Sequence, residues 1–279
     1  MKNYLIISFL LCFALSVAAQ KQVTIIHTSD THSRIEPIAK SSSDPNAGSG
    51  GYARRAAYLN ELRQKASNLL LVDCGDFSQG TPYYNMFKGE VEVKLMNYLQ
   101  YDVSAIGNHE FDFGLDNMAR LFAMADFPIV CANYDFTGTV VEGLVKPYVV
   151  IEREGIKFGI FGLGPQLEGL VSKDNYKGVV YKDPVAAANE VAALLKEKEA
   201  CDMVVCLSHL GMYTTAAEPI GDENLIPQTR NIDFVFGGHS HTYMTEPLVY
   251  NDLDNRPVQV LHIGRNGSFV GKVDITFNK

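Results

Sequence analysis

Five times along this chain, an apolar run of strand type ends in a short cluster of metal-binding and proton-holding side chains. Val23 to His27 leads into Thr28-Ser29-Asp30-Thr31-His32, and Leu69 to Val72 leads into Asp73-Cys74-Gly75-Asp76. Val103 to Ile106 leads into Gly107-Asn108-His109-Glu110-Phe111-Asp112. Met203 to Leu207 feeds Ser208-His209, and Phe234 to Phe236 feeds Gly237-Gly238-His239-Ser240-His241. Helical patterns separate several of these runs. Such alternation implies an α/β fold with substantial parallel pairing. In open α/β sheets, sites form beyond the carboxyl ends of strands. The pattern therefore predicts separate loops converging on one sheet edge.

The intervening segments supply the scaffold. Tyr52 to about Ala66 has a helical period, with Arg54, Arg55, Arg63 and Lys65 assigned to its solvated face. Glu90 to Leu99 and Leu115 to Met124 read as helices. So does Pro184 to about Lys198, with Asp183 as N-cap. Glu154-Gly155 signals a hairpin. Gly80, Pro82 and Gly89 mark an irregular connection, and residues 41–51 a surface insertion. The last fifty residues read as antiparallel strands with a turn at Asp252 to Arg256.

With 279 residues, 47% hydrophobic and 20% charged, the chain is expected to fold as a globular protein. The net charge of −8 argues against a nucleic-acid polymer as ligand, because such binding is dominated by cationic contacts to phosphate. Residues 1–19 read as a signal peptide: Lys2, an apolar run from Tyr4 to Leu15, then Val17-Ala18-Ala19. The run is short for a membrane span. The expectation is one catalytic domain over residues 20–279, exported to the periplasm or the extracellular space. Cys74, Cys131, Cys201 and Cys206 are expected to be buried free thiols, since their spacing lacks the close pairs of a structural zinc site.

Asp30, His32, Asp76, Asn108, His209, His239 and His241 offer carboxylate, imidazole and amide donors. This mixed set suits zinc, manganese or similar divalent ions. Seven donors exceed one tetrahedral ion and suffice for two, with Asp76 shared. Two ions about 3.5–4 Å apart can activate a bridging water as nucleophile and neutralise the oxygens of a phosphate. His109, three residues from Asp112, is then free for proton transfer or charge stabilisation, with Asp112 fixing its tautomer. Asn108, His109 and Arg265 are the candidates for touching substrate. Glu110 is read as structural, and His27 and His262 as core or supporting groups.

The blocks Asp30-x-His32, Gly75-Asp76, Gly107-Asn108-His109-Glu110, His209 and Gly238-His239-x-His241, in that order, resemble the calcineurin-like metallophosphoesterase superfamily. The fuller blocks resemble the N-terminal catalytic domain of the secreted 5′-nucleotidases and 2′,3′-cyclic phosphodiesterases. The resemblance implies a four-layer α/β/β/α sandwich with two mixed sheets and a dinuclear metal centre. It implies Asp30, His32, Asp76 and His241 on one ion, Asp76, Asn108, His209 and His239 on the other, and His109 with Asp112 as catalytic pair. It implies hydrolysis of small phosphate esters such as 5′-nucleotides. A cyclic phosphodiesterase or a sulfur-ester hydrolase of the same superfamily is the alternative. Members of that family carry a further domain with arginines for phosphate and aromatics for the base. The chain here ends at Lys279, so a separate chain supplying that domain, or a smaller substrate, is expected.

Overall fold

The computed structural model describes residues 20–66, 68–216 and 218–277. The signal peptide read over residues 1–19 lies outside them. In chain order the first half runs β1 (Lys21–Thr28), α1 (Tyr52–Lys65), β2 (Leu69–Asp73), α2 (Pro82–Phe87), α3 (Glu90–Tyr98), β3 (Val103–Ala105), α4 (Gly114–Met124), β4 (Ile129–Val130), β5 (Tyr134–Asp135) and β6 (Val145–Lys146). The second runs β7 (Tyr148–Arg153), β8 (Ile156–Leu163), β9 (Val180–Tyr181), α5 (Pro184–Glu197), β10 (Met203–Ser208), α6 (Asp222–Leu225), β11 (Phe234–Gly237), β12 (Leu248–Asn251), β13 (Pro257–His262) and β14 (Gly271–Phe277).

Two six-stranded mixed sheets result, in the orders β14-β1-β2-β3-β4-β6 and β12-β13-β11-β10-β8-β7. β1, β2, β3, β4 and β6 are parallel, as are β8, β10, β11 and β13. Three apolar layers separate four structural ones. Val23, Ile25, Leu70, Val72 and Val103 of the first sheet meet Phe158, Ile160, Val205 and Phe236 of the second. Leu59, Val93, Met96 and Met118 of the helices cover the first sheet's outer face. Ala188, Val191 and Leu195 of α5 cover the other. The four-layer α/β/β/α sandwich is therefore as expected. Each fully buried Leu, Ile, Val or Phe contributes about 1.5–3 kcal/mol, so the strand ends that carry the site sit on a stiff base. Among the described residues, no helix is long and apolar enough to cross a membrane.

Three elements differ from the expectation. The segment after Gly80 forms α2, because Pro82 stands at its first turn, where a missing N–H costs nothing. β13 pairs parallel with β11 rather than only antiparallel with β12; alternating burial marks a strand but not its direction. Arg55 is buried, not solvated. Its Nη1 donates to the Tyr101 hydroxyl at 3.1 Å, and its guanidinium lies 4.6 Å from the centre of the Tyr52 ring. The four cysteines are buried and free.

Candidate metal centre

The loops following β1, β2, β3, β10 and β11 meet at one edge of the sandwich and are stitched together by their backbones. Asp30 N–H donates to Gly75 O at 3.0 Å, and His32 N–H to Asp76 O at 3.0 Å. His239 N–H donates to Asp30 Oδ1 at 3.0 Å, and Asn266 N–H to Asp30 O at 2.7 Å. Such close approach needs missing side chains. A Cβ on Gly75 would strike the backbone of Gly107, and one on Gly238 would strike Ser29 Oγ, His209 Nδ1 and Asp30 Oδ2.

The backbone at this edge is unusual. Asp30 (φ 48°), His32 (46°), Asp76 (55°), His239 (70°) and His241 (55°) all occupy the left-handed region. Non-glycine residues avoid it, and where strain of this kind is retained it clusters at functional sites.

Three donor groups lie there, each with its ligand atoms within 4.8 Å of one another: Asp30-His32-His241, Asp76-His209-His239, and His32-Asp76-His109 linking them. Tautomers are set from behind. His209 Nδ1–H donates to Cys74 O at 2.6 Å, turning Nε2 toward the carboxylates. That nitrogen stands 3.0 Å from Asp76 Oδ2 and 3.8 Å from Asp30 Oδ1. It nonetheless has no hydrogen-bond geometry with any group; distance alone makes the pair close. His32 Nδ1–H donates to Ser78 O at 3.4 Å, and its Nε2 faces His241 Nε2 at 2.9 Å. Asn108 is buried with its Oδ1 unpartnered.

These features pass a physical test for cations. The donor set is imidazole, carboxylate and amide, which suits borderline to hard divalent ions. Ligand atoms around a tetrahedral ion with bonds of about 2.0–2.2 Å lie about 3.4 Å apart, close to the separations above. Buried orphan acceptors otherwise cost about 1–3 kcal/mol each. Burial lowers the affinity of His209 for a proton, yet the charges of Asp76 and Asp30 outweigh it and push its pKa up to about 10. Burial, reinforced by repulsion from Asp76, lifts Asp30 to about 7. The pocket calls for positive charge between its carboxylates, and a proton or a metal ion supplies it.

His109 lies beside this cluster, half-buried. Its Nδ1–H donates to Asp112 Oδ2 at 2.9 Å, and its backbone N–H to Asp76 Oδ1 at 2.9 Å. Burial opposes its protonation, but the Asp112 contact and the Asp76 charge prevail and raise its pKa to about 9. Glu110 points away and receives the N–H groups of Asp76, Ser78 and Gly107. Exposed Arg265 brings Nη1 to 3.3 Å from His241 Nδ1. His262 supports the site indirectly: its Nε2 is 2.7 Å from Asp222 Oδ2, and Asp222 accepts from Ser208, the neighbour of His209. One participant carries no sequence signal. Glu218, in a mixed polar loop, hydrogen-bonds His239 Nε2. No strand or glycine frames it, and only proximity identifies it.

Residues 23–243 match the family model for calcineurin-like phosphoesterases. Among curated proteins, the chain is 33% identical to a snake venom 5′-nucleotidase of Crotalus adamanteus, over 96% of this chain and 47% of that protein. Among solved structures, it resembles a 5′-nucleotidase precursor from Thermus thermophilus (TM-score 0.81, 31% identity, covering 92% of this chain and 52% of that one). It also resembles the calcineurin-like phosphoesterase YfkN of Bacillus subtilis (TM-score 0.77, 28% identity, 94% and 86% covered); the protein of that name is described as a trifunctional nucleotide phosphoesterase. The chain spans about half the length of the 5′-nucleotidases it matches.

Proposed function

This chain belongs to the calcineurin-like phosphoesterase family, and from that premise we propose that it is an exported two-cation hydrolase of 5′-nucleotides or similar small phosphate monoesters. The observation that carries the reading is the meeting of Asp30-His32-His241 and Asp76-His209-His239 at one sheet edge, beside a His109-Asp112 pair. Asp30, His32, Asp76 and His241 would hold one ion, and Asp76, Asn108, His209 and His239 the other. Divalent cations such as zinc or manganese supply Lewis acidity, drawing charge from phosphate oxygens and lowering the pKa of water toward neutrality.

The protein's own groups do the rest. His109 carries a proton at Nε2 while Asp112 receives Nδ1–H, so it can pass that proton to the departing ester oxygen. Positive charge in the pocket would bring its pKa down from about 9 toward the working range. The Asn108 amide N–H groups can donate to a phosphate oxygen while Oδ1 serves a cation. Arg265 donates to His241 Nδ1 only while that nitrogen lacks a proton. If His241 ligates through Nε2, Nδ1 keeps its hydrogen and Arg265 is released toward phosphate.

Base recognition would come from the portion of the relatives that this chain does not span, on the same polypeptide or on a separate one. The Bacillus relative, described as a trifunctional nucleotide phosphoesterase, supports a second reading, a phosphoester hydrolase of broader nucleotide scope. Phosphate release from 5′-AMP, 2′,3′-cyclic AMP and an aryl phosphate, with and without added zinc or manganese, separates the two. Metal-dependent release chiefly from 5′-AMP is expected. No metal-dependent release from any of them would reject both readings.

A further inference from the structure

We propose that Glu218 is a positioning residue for His239, holding its imidazole by Nε2 so that Nδ1 is left as the ligating nitrogen. The inference rests on the two-cation reading of the site. Metal-bound histidines generally donate their second N–H to a carboxylate or carbonyl, which fixes the tautomer and raises ligand basicity. His209 and His32 have carbonyls in this role, from Cys74 and Ser78. His239 has Glu218 instead. The His239 ring packs beside that of His209, with centres 5.2 Å apart.

The backbone that carries this carboxylate is anchored within its own loop. Glu218 N–H donates to Thr215 Oγ1 at 3.0 Å, and Glu218 O accepts from Thr215 N–H at 2.8 Å. Its side chain is 19% exposed, and it stands between His239 and a cavity of about 150 Å³ lined by Tyr181, Leu210, Pro219 and Ile220. Truncation would therefore enlarge that cavity and remove the carboxylate partner of Nε2. A charged carboxylate from a loop, unlike a backbone carbonyl, also makes this ligand sensitive to how that loop is held.

Zinc affinity measured by competition with a chromophoric chelator tests the assignment in wild type, Glu218→Ala, Glu218→Gln and Glu223→Ala. Glu223 holds the same loop through Thr214 N–H at 3.3 Å and touches no candidate ligand. Glu218→Ala should weaken the zinc site that includes His239 about 10- to 100-fold. Glu218→Gln should lose less, and Glu223→Ala should stay within about threefold of wild type. The ¹⁵N imidazole spectrum of the metal-free protein should show His239 as the Nε2–H tautomer, and lose that state in Glu218→Ala. Wild-type zinc affinity in both Glu218 variants would overturn the assignment. A wild type that binds no zinc would instead overturn the metal reading beneath it.

Discussion

Glu110 Oε2 accepts the backbone N–H of Asp76 at 3.0 Å, although the two residues lie on different loops. The same carboxylate accepts from Gly107 at 2.7 Å and Ser78 at 3.1 Å. It therefore clamps the loop after β2 to the loop after β3 without touching a candidate cation position. Glu110→Ala should orphan three buried N–H groups. At about 1–3 kcal/mol for each, a loss of at least about 3 kcal/mol is expected in denaturant unfolding. Metal affinity should fall with it. An unchanged midpoint would show that the clamp is dispensable.

Acid catalysis by His109 makes a separable prediction. His109→Ala should keep the full metal content and lose about 10²–10⁴ in turnover. Asp112→Asn should retain metal as well and lose less, because the ring stays but its tautomer is no longer enforced. The loss should shrink for esters whose leaving group needs no proton, such as a nitrophenyl phosphate. Equal losses on good and poor leaving groups would assign His109 to charge stabilisation instead.

His27 bears on stability rather than on the chemistry. It is fully buried between the sheets, its ring centre 4.4 Å from that of Phe236. Burial, helped by repulsion from His262, lowers its pKa from 6.5 to about 3. Between those values the unfolded chain binds a proton that the folded chain refuses. Its contribution is therefore intact above pH 6.5 and drains as pH falls toward 3, by up to about 1.4 kcal/mol per pH unit. His27→Phe should flatten the fall in unfolding free energy between pH 6.5 and pH 5. An unaltered slope would mean that other groups set the acid limit.

Much of this was legible because each site residue follows an apolar run. Asp30 and His241 are far apart in sequence, yet both lie just past a buried strand, and parallel strands deliver their ends to the same edge. Helix periods located α1, α3, α4 and α5 for the same reason: their buried faces are apolar. What escaped was set by partners rather than by pattern. Arg55 looks like a surface cation until Tyr101 and Tyr52 are brought beside it. Glu218 is an ordinary loop acid until His239 turns toward it. The left-handed backbone at Asp30, His32, Asp76, His239 and His241 has no glycine to announce it. It follows from loops being pulled together by hydrogen bonds between them.

The most direct test is metal stoichiometry by elemental analysis, after saturation with zinc or manganese and removal of free ion. Wild type should retain about two ions per chain, as expected when an N/O donor set of this size is shared through one carboxylate. Asp76→Asn, which alters the residue common to two donor groups, should retain fewer and lose metal-dependent phosphate release. A wild-type chain that holds no ion, or an Asp76→Asn variant that keeps both ions and full activity, would contradict the account.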